Sequence, residues 1–338
     1  MGKATSKTVS VVLATHNGAS YIEEQIRSIS NQTLTPLELI VSDDASSDNS
    51  LQIVEDVLAD CDFTVQINRN VRPLGFRDNF LQASLLAQGD FIAFCDQDDV
   101  WHPTKLEKCS EFFENKNISL IVHAAQLIDN DTNRIGMFRQ GIEDTRVRAP
   151  LSYDPWGTFW GFSMVFRREL LKLVSINDRI IDYIVPSELI AHDRWIMFLG
   201  QMVGATAEIK DPLVDYRQHS SNLFGAGSMK KSNASFDLEK RSEDYIRATS
   251  QMISVLDKIS PDASRSFPLF DKDKCRKFLE SALLQLKSRH RIYESSTRSG
   301  AIHHLWECFS ANNYRSVHDG SMRWRSLMRD AQFAVLRS

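Results

Sequence analysis

The pattern that most constrains this chain is an alternation in its first hundred residues. Short apolar runs end in polar or acidic loops, and a helical period follows each of them. Val9-Ser10-Val11-Val12-Leu13-Ala14 is a β-branched run that breaks at Thr15-His16-Asn17-Gly18, and Ile22, Ile26 and Ile29 then recur at the spacing of an amphipathic helix over 21–30. The run 37–41 ends in Ser42-Asp43-Asp44-Ala45-Ser46-Ser47-Asp48, and a helix is predicted over 51–58. A strand over 63–68, a helix over 80–87 and a fourth strand over 91–95 follow, the last ending in Asp96-Gln97-Asp98-Asp99. Strands alternating with helices predict an α/β fold with parallel pairing, and in such sheets ligands gather beyond the carboxyl ends of the strands. Both acidic loops, 43–44 and 96–99, fall at such ends.

After residue 100 the pattern becomes mixed. A helix is expected near 105–115, strands near 120–126 and 164–166, a helix from Arg168, another near 193–203, and a strand near 213–216. From Asp237 only helical periodicity remains, over 237–259, 271–290 and 299–335, with Pro261 and Pro268 marking the first break. The organisation read from this is a catalytic domain over 1–230 and a C-terminal helical region over 231–338.

Composition narrows the class. A chain of 338 residues with 42% hydrophobic residues can build a substantial core. Its five cysteines include no C-x-x-C pair, so neither a zinc cluster nor a disulfide framework is expected, and a reducing cytoplasm fits best. The first apolar run is too short for a signal peptide or a membrane span. Met1-Gly2-Lys3-Ala4-Thr5-Ser6 matches the loose N-myristoylation pattern, which is too permissive to carry an argument. The net charge of −4 is unevenly spread: residues 271–338 hold 13 Lys/Arg and 7 Asp/Glu, a net of +6 that leaves −10 on the remainder. With the motifs in the acidic part and no basic stripe along an aromatic face, no nucleic-acid partner is expected.

The chemistry concentrates at Asp96-Gln97-Asp98-Asp99. Carboxylates packed at one strand end repel and raise one another's pKa, and a divalent cation relieves this. Hard oxygen ligands suit Mg²⁺ or Mn²⁺, which commonly bridge a carboxylate and a diphosphate. The competing reading is an acidic turn that only faces water. Asp43-Asp44 is a weaker signal: an acid there can accept from a nucleobase imide or a ribose hydroxyl, but Asp-Asp-x-Ser is also ordinary turn chemistry.

Three ordered segments, Ser10–Gly18, Glu38–Ser46 and Gly89–Trp101, together resemble the family 2 glycosyltransferases. The resemblance continues through Gly161–Leu170, His192-Asp193-Arg194-Trp195 and Tyr216–Gly225, covering about residues 8–226. It implies one nucleotide-diphospho-sugar transferase domain of GT-A type, with a Rossmann-like mixed sheet, a C-terminal helical appendage, and inversion at the anomeric carbon. It also implies roles by position. Thr15, His16 and Asn17 would line the donor nucleotide, Asp44 would read a uracil or thymine ring, and Arg77 and Asn79 would lie near the base or diphosphate. Asp96 would sit by the ribose and the metal, Asp98 would be the chief metal carboxylate, and Asp99 would lie behind it or face the acceptor. His219 would reach the metal as the following loop closes. Asp193 would be the catalytic base, at a helix start whose dipole keeps it ionised, and it could cap that helix as well.

The wording Asp-Gln-Asp-Asp-Val-Trp resembles the rhamnosyltransferase-like branch, which leans the donor towards dTDP-L-rhamnose. A UDP-hexose or UDP-N-acetylhexosamine transferase is the first alternative, and a non-catalytic nucleotide-sugar-binding scaffold the second. The acceptor implied is a glycan or lipid-linked glycan of surface polysaccharide synthesis. Tyr153, Trp156, Phe159, Trp160 and Phe162 are flat rings that suit either a sugar face or core packing. Trp306, Phe309, Trp324, Leu327 and Phe333 lie among Arg315, Arg323, Arg325 and Arg329, a mixture that suits peripheral contact with the inner face of the cell membrane or packing on the domain or a partner copy, a homo-oligomer included.

Overall fold

Each of the first apolar runs forms a buried strand because its side chains alternate between two cores. Along β1 (Val9–Thr15), Val12 faces one core and Val11 and Leu13 the other. A computed structural model describes residues 7–59, 61–219 and 237–336. The Met1–Ser6 pattern and the loop that was expected to close after His219 lie outside the described residues.

The chain continues through α1 (Ile22–Ser30), β2 (Glu38–Asp43), α2 (Ser50–Leu58), β3 (Thr64–Arg69), α3 (Phe76–Ser84), β4 (Phe91–Cys95), the short β5 (Val100–Trp101) and α4 (Lys105–Ser110). The second half contributes β6 (Ile118–Ile128), β7 (Arg134–Phe138), β8 (Arg146–Arg148), β9 (Met164–Arg167), α5 (His192–Val203) and β10 (Ala205–Arg217). Four helices follow: α6 (Leu238–Lys258), α7 (Lys272–Glu294), α8 (Arg298–Ser310) and α9 (Trp324–Leu336).

The sheet runs in the order β3-β2-β1-β4-β9-β6-β10-β5, with β7 on β6 and β8 on β10. Strands β3, β2, β1 and β4 are parallel, whereas β9 is antiparallel to both β4 and β6. The fold is therefore α/β with a mixed sheet. Strand order reverses between β1 and β4, so their loops open the crevice in which such sheets bind ligands. One face carries α1, α2 and α4, and the other α3, α5, α6 and the first half of α7.

Several local readings need correction. The long helix expected over 299–335 is two, because Asn312 (φ 59°) and Gly320 (φ 71°) take left-handed backbone in the turn between α8 and α9. The helix expected at 80–87 starts earlier, at Phe76, after Gly75 with φ 80°. The segment from Arg168 is a 3-10 turn over Arg168–Lys172. The strand expected at 213–216 extends over Ala205–Arg217, its pairing with β6 shifting register around Pro212, which has no N–H to give. Apolar packing also runs across residue 230: Met252, Val255 and Leu256 of α6 are buried in the same core as Trp195 and Phe166. At roughly 1.5–3 kcal/mol per buried side chain, those three are comparable to much of the 5–15 kcal/mol net stability of an ordinary domain.

Candidate active site

Four strand ends meet at the crevice. After β1 the chain turns at Asn17, held at φ 49°, and Gly18. A Cβ on Gly18 would lie 2.3 Å from Oε1 of Gln97, so a larger residue there would push the Gln97 amide out of its place between the loops. Gln97 ties the loops together: its Oε1 accepts from Thr15 Oγ1 and from His16 N–H, both at 2.8 Å, and its Nε2 donates to His16 O at 3.2 Å. Beside them, His16 Nδ1 lies 2.7 Å from Asp44 O, and Asn17 Oδ1 accepts from Ser47 N–H at 2.9 Å. Thr15, His16 and Asn17 thus sit together at the switch point, although Thr15 is buried and its hydroxyl is committed to Gln97.

The β4 loop concentrates negative charge. Burial pushes the Asp96 carboxyl up to about 7, with Asp98 and Asp193 adding to the shift by repulsion. Burial likewise holds Asp99 well above the ordinary carboxylate range, with Asp98 and Asp96 adding to it. Lys105 beneath them is buried, its ammonium pulled down to about 8 by desolvation, and it donates to Phe162 O at 2.7 Å. His219 comes in from the end of β10 and places Nε2 2.9 Å from Asp98 Oδ2. Tyr21 stacks on the His219 ring at 4.8 Å. Arg217, itself buried, clamps the loop: its N–H donates to Asp99 Oδ1 at 3.1 Å, its Nε to Asp98 O at 3.0 Å, and its guanidinium reaches Glu24 at 2.5 Å.

The metal reading was for three ligands, Asp96, Asp98 and His219. Among the described residues no three His, Cys, Asp or Glu side chains already form a cation site. Asp98 and His219 are paired within hydrogen-bond distance, and Asp96 is close enough to Asp98 to feel its charge. An imidazole and a carboxylate in contact, beside a second carboxylate raised by burial and by repulsion, fit Mg²⁺ or Mn²⁺. Such ions usually keep several waters and use few protein ligands beside a substrate phosphate.

Asp193 lies in the first turn of α5, and its Oδ1 accepts from Arg194 N–H at 2.7 Å. It is not the cap it was expected to double as, since Ala191 holds that position. Its repulsion of Asp96 places the two carboxylates in one electrostatic neighbourhood. The preceding His192 is buried and stacked on Phe80 at 4.2 Å, and desolvation lowers its pKa to about 4. Gly161 gives it room, because a Cβ there would sit 2.6 Å from His192 Nε2.

Other residues expected at the site have their polar groups engaged within the protein. Asn79 is buried and its amide is engaged inside the protein, accepting from Ser42 Oγ and Asn70 Nδ2 and donating to Ser42 O, so it props the β2 loop. Arg77 turns to Asp182 and Leu189 O, sharing Asp182 with Arg194, which makes it a brace between α3 and the 180–190 segment. Asp99 is 1% exposed and locked under Arg217, so it does not face an acceptor. The aromatic cluster is mostly frame: Phe159 and Phe162 are buried, Tyr153 donates to Glu208, and Trp156 donates to Thr249. Asp44 does lie at the crevice, but its carboxylate already accepts from Asn70 Nδ2 and from the N–H groups of Leu74 and Gly75 at 2.7–2.9 Å.

Residues 10–174 match the sequence model described as glycosyl transferase family 2. The chain belongs to that family. It is 26% identical to the dTDP-rhamnosyl transferase RfbG of Shigella flexneri over 228 residues, 63% of this chain and 74% of that protein. It is 33% identical to the Escherichia coli UDP-Glc:alpha-D-GlcNAc-diphosphoundecaprenol beta-1,3-glucosyltransferase WfgD over 124 residues, 37% of this chain and 48% of that protein. The crystal structure of S. aureus TarS 1-349 in complex with UDP-GlcNAc superposes with a TM-score of 0.57 at 17% identity, covering 97% of this chain and 88% of that one. At that identity the likeness bears on the fold alone, and the fold is the GT-A-like one.

Some residues that shape this family 2 site received no role from the sequence. Gln97 stood in plain view as the one amide among carboxylates, and its loop-tying function needs the β1 loop beside it. Arg217 stands two positions before His219, a cation next to the acidic loop's partner. Tyr21 and Asp182 carried no signal, because stacking on His219 and bridging Arg77 to Arg194 are visible only in three dimensions.

Proposed function

We propose that this family 2 protein is an inverting, divalent-cation-dependent transferase that moves a sugar from a nucleotide-diphosphate donor to a hydroxyl of a glycan or lipid-linked glycan. The observation that carries the reading is the approach of His219 Nε2 to Asp98 Oδ2 at 2.9 Å, beside an Asp96 raised by burial and, after it, by Asp98 and Asp193. Asp98, His219 and Asp96 would hold Mg²⁺ or Mn²⁺. When bound, the ion would supply positive charge for the departing diphosphate. Asp193 removes the proton from the acceptor hydroxyl as that oxygen attacks C1 of an oxocarbenium-like sugar. Arg194 N–H holds one Asp193 oxygen and orients the carboxylate for this work. Thr15, His16, Asn17 and Asp44 form the floor on which the nucleotide rests.

The favoured donor is dTDP-L-rhamnose, supported by the Asp-Gln-Asp-Asp-Val-Trp wording and by the likeness to RfbG, named a dTDP-rhamnosyl transferase. A UDP-sugar donor is the second reading, favoured by the likeness to WfgD, named a UDP-Glc transferase. A hydrolysis and transfer screen across nucleotide sugars with Mn²⁺ separates the two. Turnover of dTDP-rhamnose supports the first, and turnover confined to a UDP-sugar replaces it. Replacing Asp193 by Asn should reduce turnover by about 10²–10⁴ while donor affinity is kept. Turnover retained in that variant removes Asp193 from the role of base, whereas a wild type inert on every donor leaves the scaffold reading.

Peripheral membrane contact belongs to the same proposal. Among the described residues no helix is long and apolar enough to cross a membrane. Yet α8 exposes Ile302, Trp306 and Phe309 at helical spacing, with Trp306 67% exposed, and α9 exposes Trp324 and Met328. Flotation with anionic vesicles should be lost when Trp306 and Trp324 are replaced by Ser. Flotation unchanged by those substitutions turns the face towards a partner subunit.

A further inference from the structure

A second cavity, of about 180 Å³, lies between α6, α7 and α9, away from the Asp98–His219 pair. Four guanidinium groups, those of Arg241, Arg289, Arg323 and Arg329, line it, and Asp154 is the one acid in its wall among the described residues. Arg289, Arg323 and Arg329 share two carboxylates. Asp330, fully buried, accepts from Arg289 Nε at 2.7 Å and from Tyr293 and Tyr314 hydroxyls at 2.5 and 3.0 Å, and Arg329 Nε reaches it only at 3.4 Å. Asp154 accepts from Arg323 and is also approached by His318 Nδ1 at 3.3 Å. The Nε of Arg323 is buried with no hydrogen-bond partner.

An unsatisfied buried donor is costly, and more so when it belongs to a charged group. A guanidinium fork matches the oxygens of a phosphate, and several forks around one cavity match no neutral ligand as well. Trp156 and Tyr245 hold two of the forks from behind, with Arg323 over the Trp156 ring at 5.4 Å and Arg241 over the Tyr245 ring at 5.7 Å. The cavity also lies on the Asp193 side of the molecule: Tyr245 meets Tyr183 at 4.9 Å, and Arg194 lies over Tyr183 at 5.5 Å.

We propose that this cavity is an anion-binding site for a phosphate or diphosphate group, separate from the donor crevice. The phosphate is either free or carried on a lipid headgroup. The proposal does not depend on the donor chemistry above, because none of its residues belongs to the crevice.

The test uses the full chain without divalent cation. Inorganic phosphate and pyrophosphate are titrated by calorimetry and by tryptophan fluorescence, Trp156 being in the wall. Retention on phosphatidylcholine vesicles with and without phosphatidic acid is measured in parallel. The expected result is saturable binding of one anion per chain, unchanged in Asp98→Asn and weakened at least tenfold in Arg323→Gln and in Arg329→Gln. Arg329 is the more exposed of the two, so Arg329→Gln decides should Arg323→Gln not fold. Binding of the inorganic anions identifies a free-phosphate site. Binding seen only with phosphatidic acid vesicles, and lost in the arginine variants, identifies a headgroup site. No saturation by any probe, equal binding by the arginine variants, or loss of binding in Asp98→Asn would overturn the proposal.

Discussion

The two acidic loops, 43–44 and 96–99, look alike in sequence and sit at the ends of the two strands that flank β1, yet their carboxylates live differently. Asp44 is satisfied from within: Asn70 Nδ2, Leu74 N–H and Gly75 N–H all donate to it, and through it the 70–75 segment is fixed to the β2 end. Asp43 takes Ser46 N–H and the Arg69 guanidinium on one oxygen, leaving the other without a partner. In the β4 loop Asp96 and Asp99 are instead raised by burial and by their neighbours, one Asp99 oxygen is buried without a partner, and Asp98 meets an imidazole that has come across from β10. Carboxylates supplied with donors build structure. Carboxylates packed against one another hold unspent electrostatic energy that a cation can release.

This contrast breaks most easily at Asp98. Asp98→Asn should lower turnover at least about a hundredfold, since a metal's charge stabilisation of several kcal/mol corresponds to a tenfold change per 1.36 kcal/mol. Its melting temperature without metal should hold or rise, because Asp96 and Asp99 lose a repelling neighbour. Turnover assays and metal-free thermal scans read the two effects, and a fall in both would make Asp98 an ordinary structural acid. Asp44→Ala should act on stability in the opposite sense: denaturant unfolding should show about 1–3 kcal/mol of lost stability, because three donors lose their acceptor. An unchanged midpoint would erase the difference between the loops.

A smaller effect sharpens the picture next to Asp193. His192 titrates at about 4 in the folded chain against 6.5 ordinarily, so between those values the unfolded chain binds more protons and acid removes stability. Asp96, raised to about 7, works in the opposite direction over much of that range, so the informative quantity is a difference between proteins. The stability of wild type relative to His192→Phe should fall by about 1–2 kcal/mol between pH 7 and pH 5. Denaturant unfolding across that range checks it, and a flat difference would mean that His192 is not held neutral by its burial.

How much of this was legible in the sequence follows from what each feature depends on. The first four strands and the acidic loops could be read because β-branched runs, their period and the polar residues that stop them are local. The acidic loop pointed to Asp98 by itself, but His219 and Asp193 could be named only through the family resemblance, as His219 lies 121 positions from Asp98 and the three sit on different elements. The bracing contacts of Asn79 and Arg77 could not be read, because a polar side chain near a loop looks the same whether it faces a ligand or braces the frame. The burial of Asn79 against Ser42 and the turn of Arg77 to Asp182 are tertiary facts. The break between α8 and α9 was missed because the helical period continues on both sides of a turn that Asn312 and Gly320 make with left-handed backbone.

The central claim is that Asp96 and Asp98, with His219, grip a cation that in turn grips the donor's diphosphate. Calorimetric titration of the donor nucleotide diphosphate into chelator-treated protein, with and without restored Mn²⁺, tests it most directly. Donor affinity should be weak without the ion, recover when it is returned, and fail to recover in Asp98→Asn. Equal donor affinity with and without the cation would contradict the account.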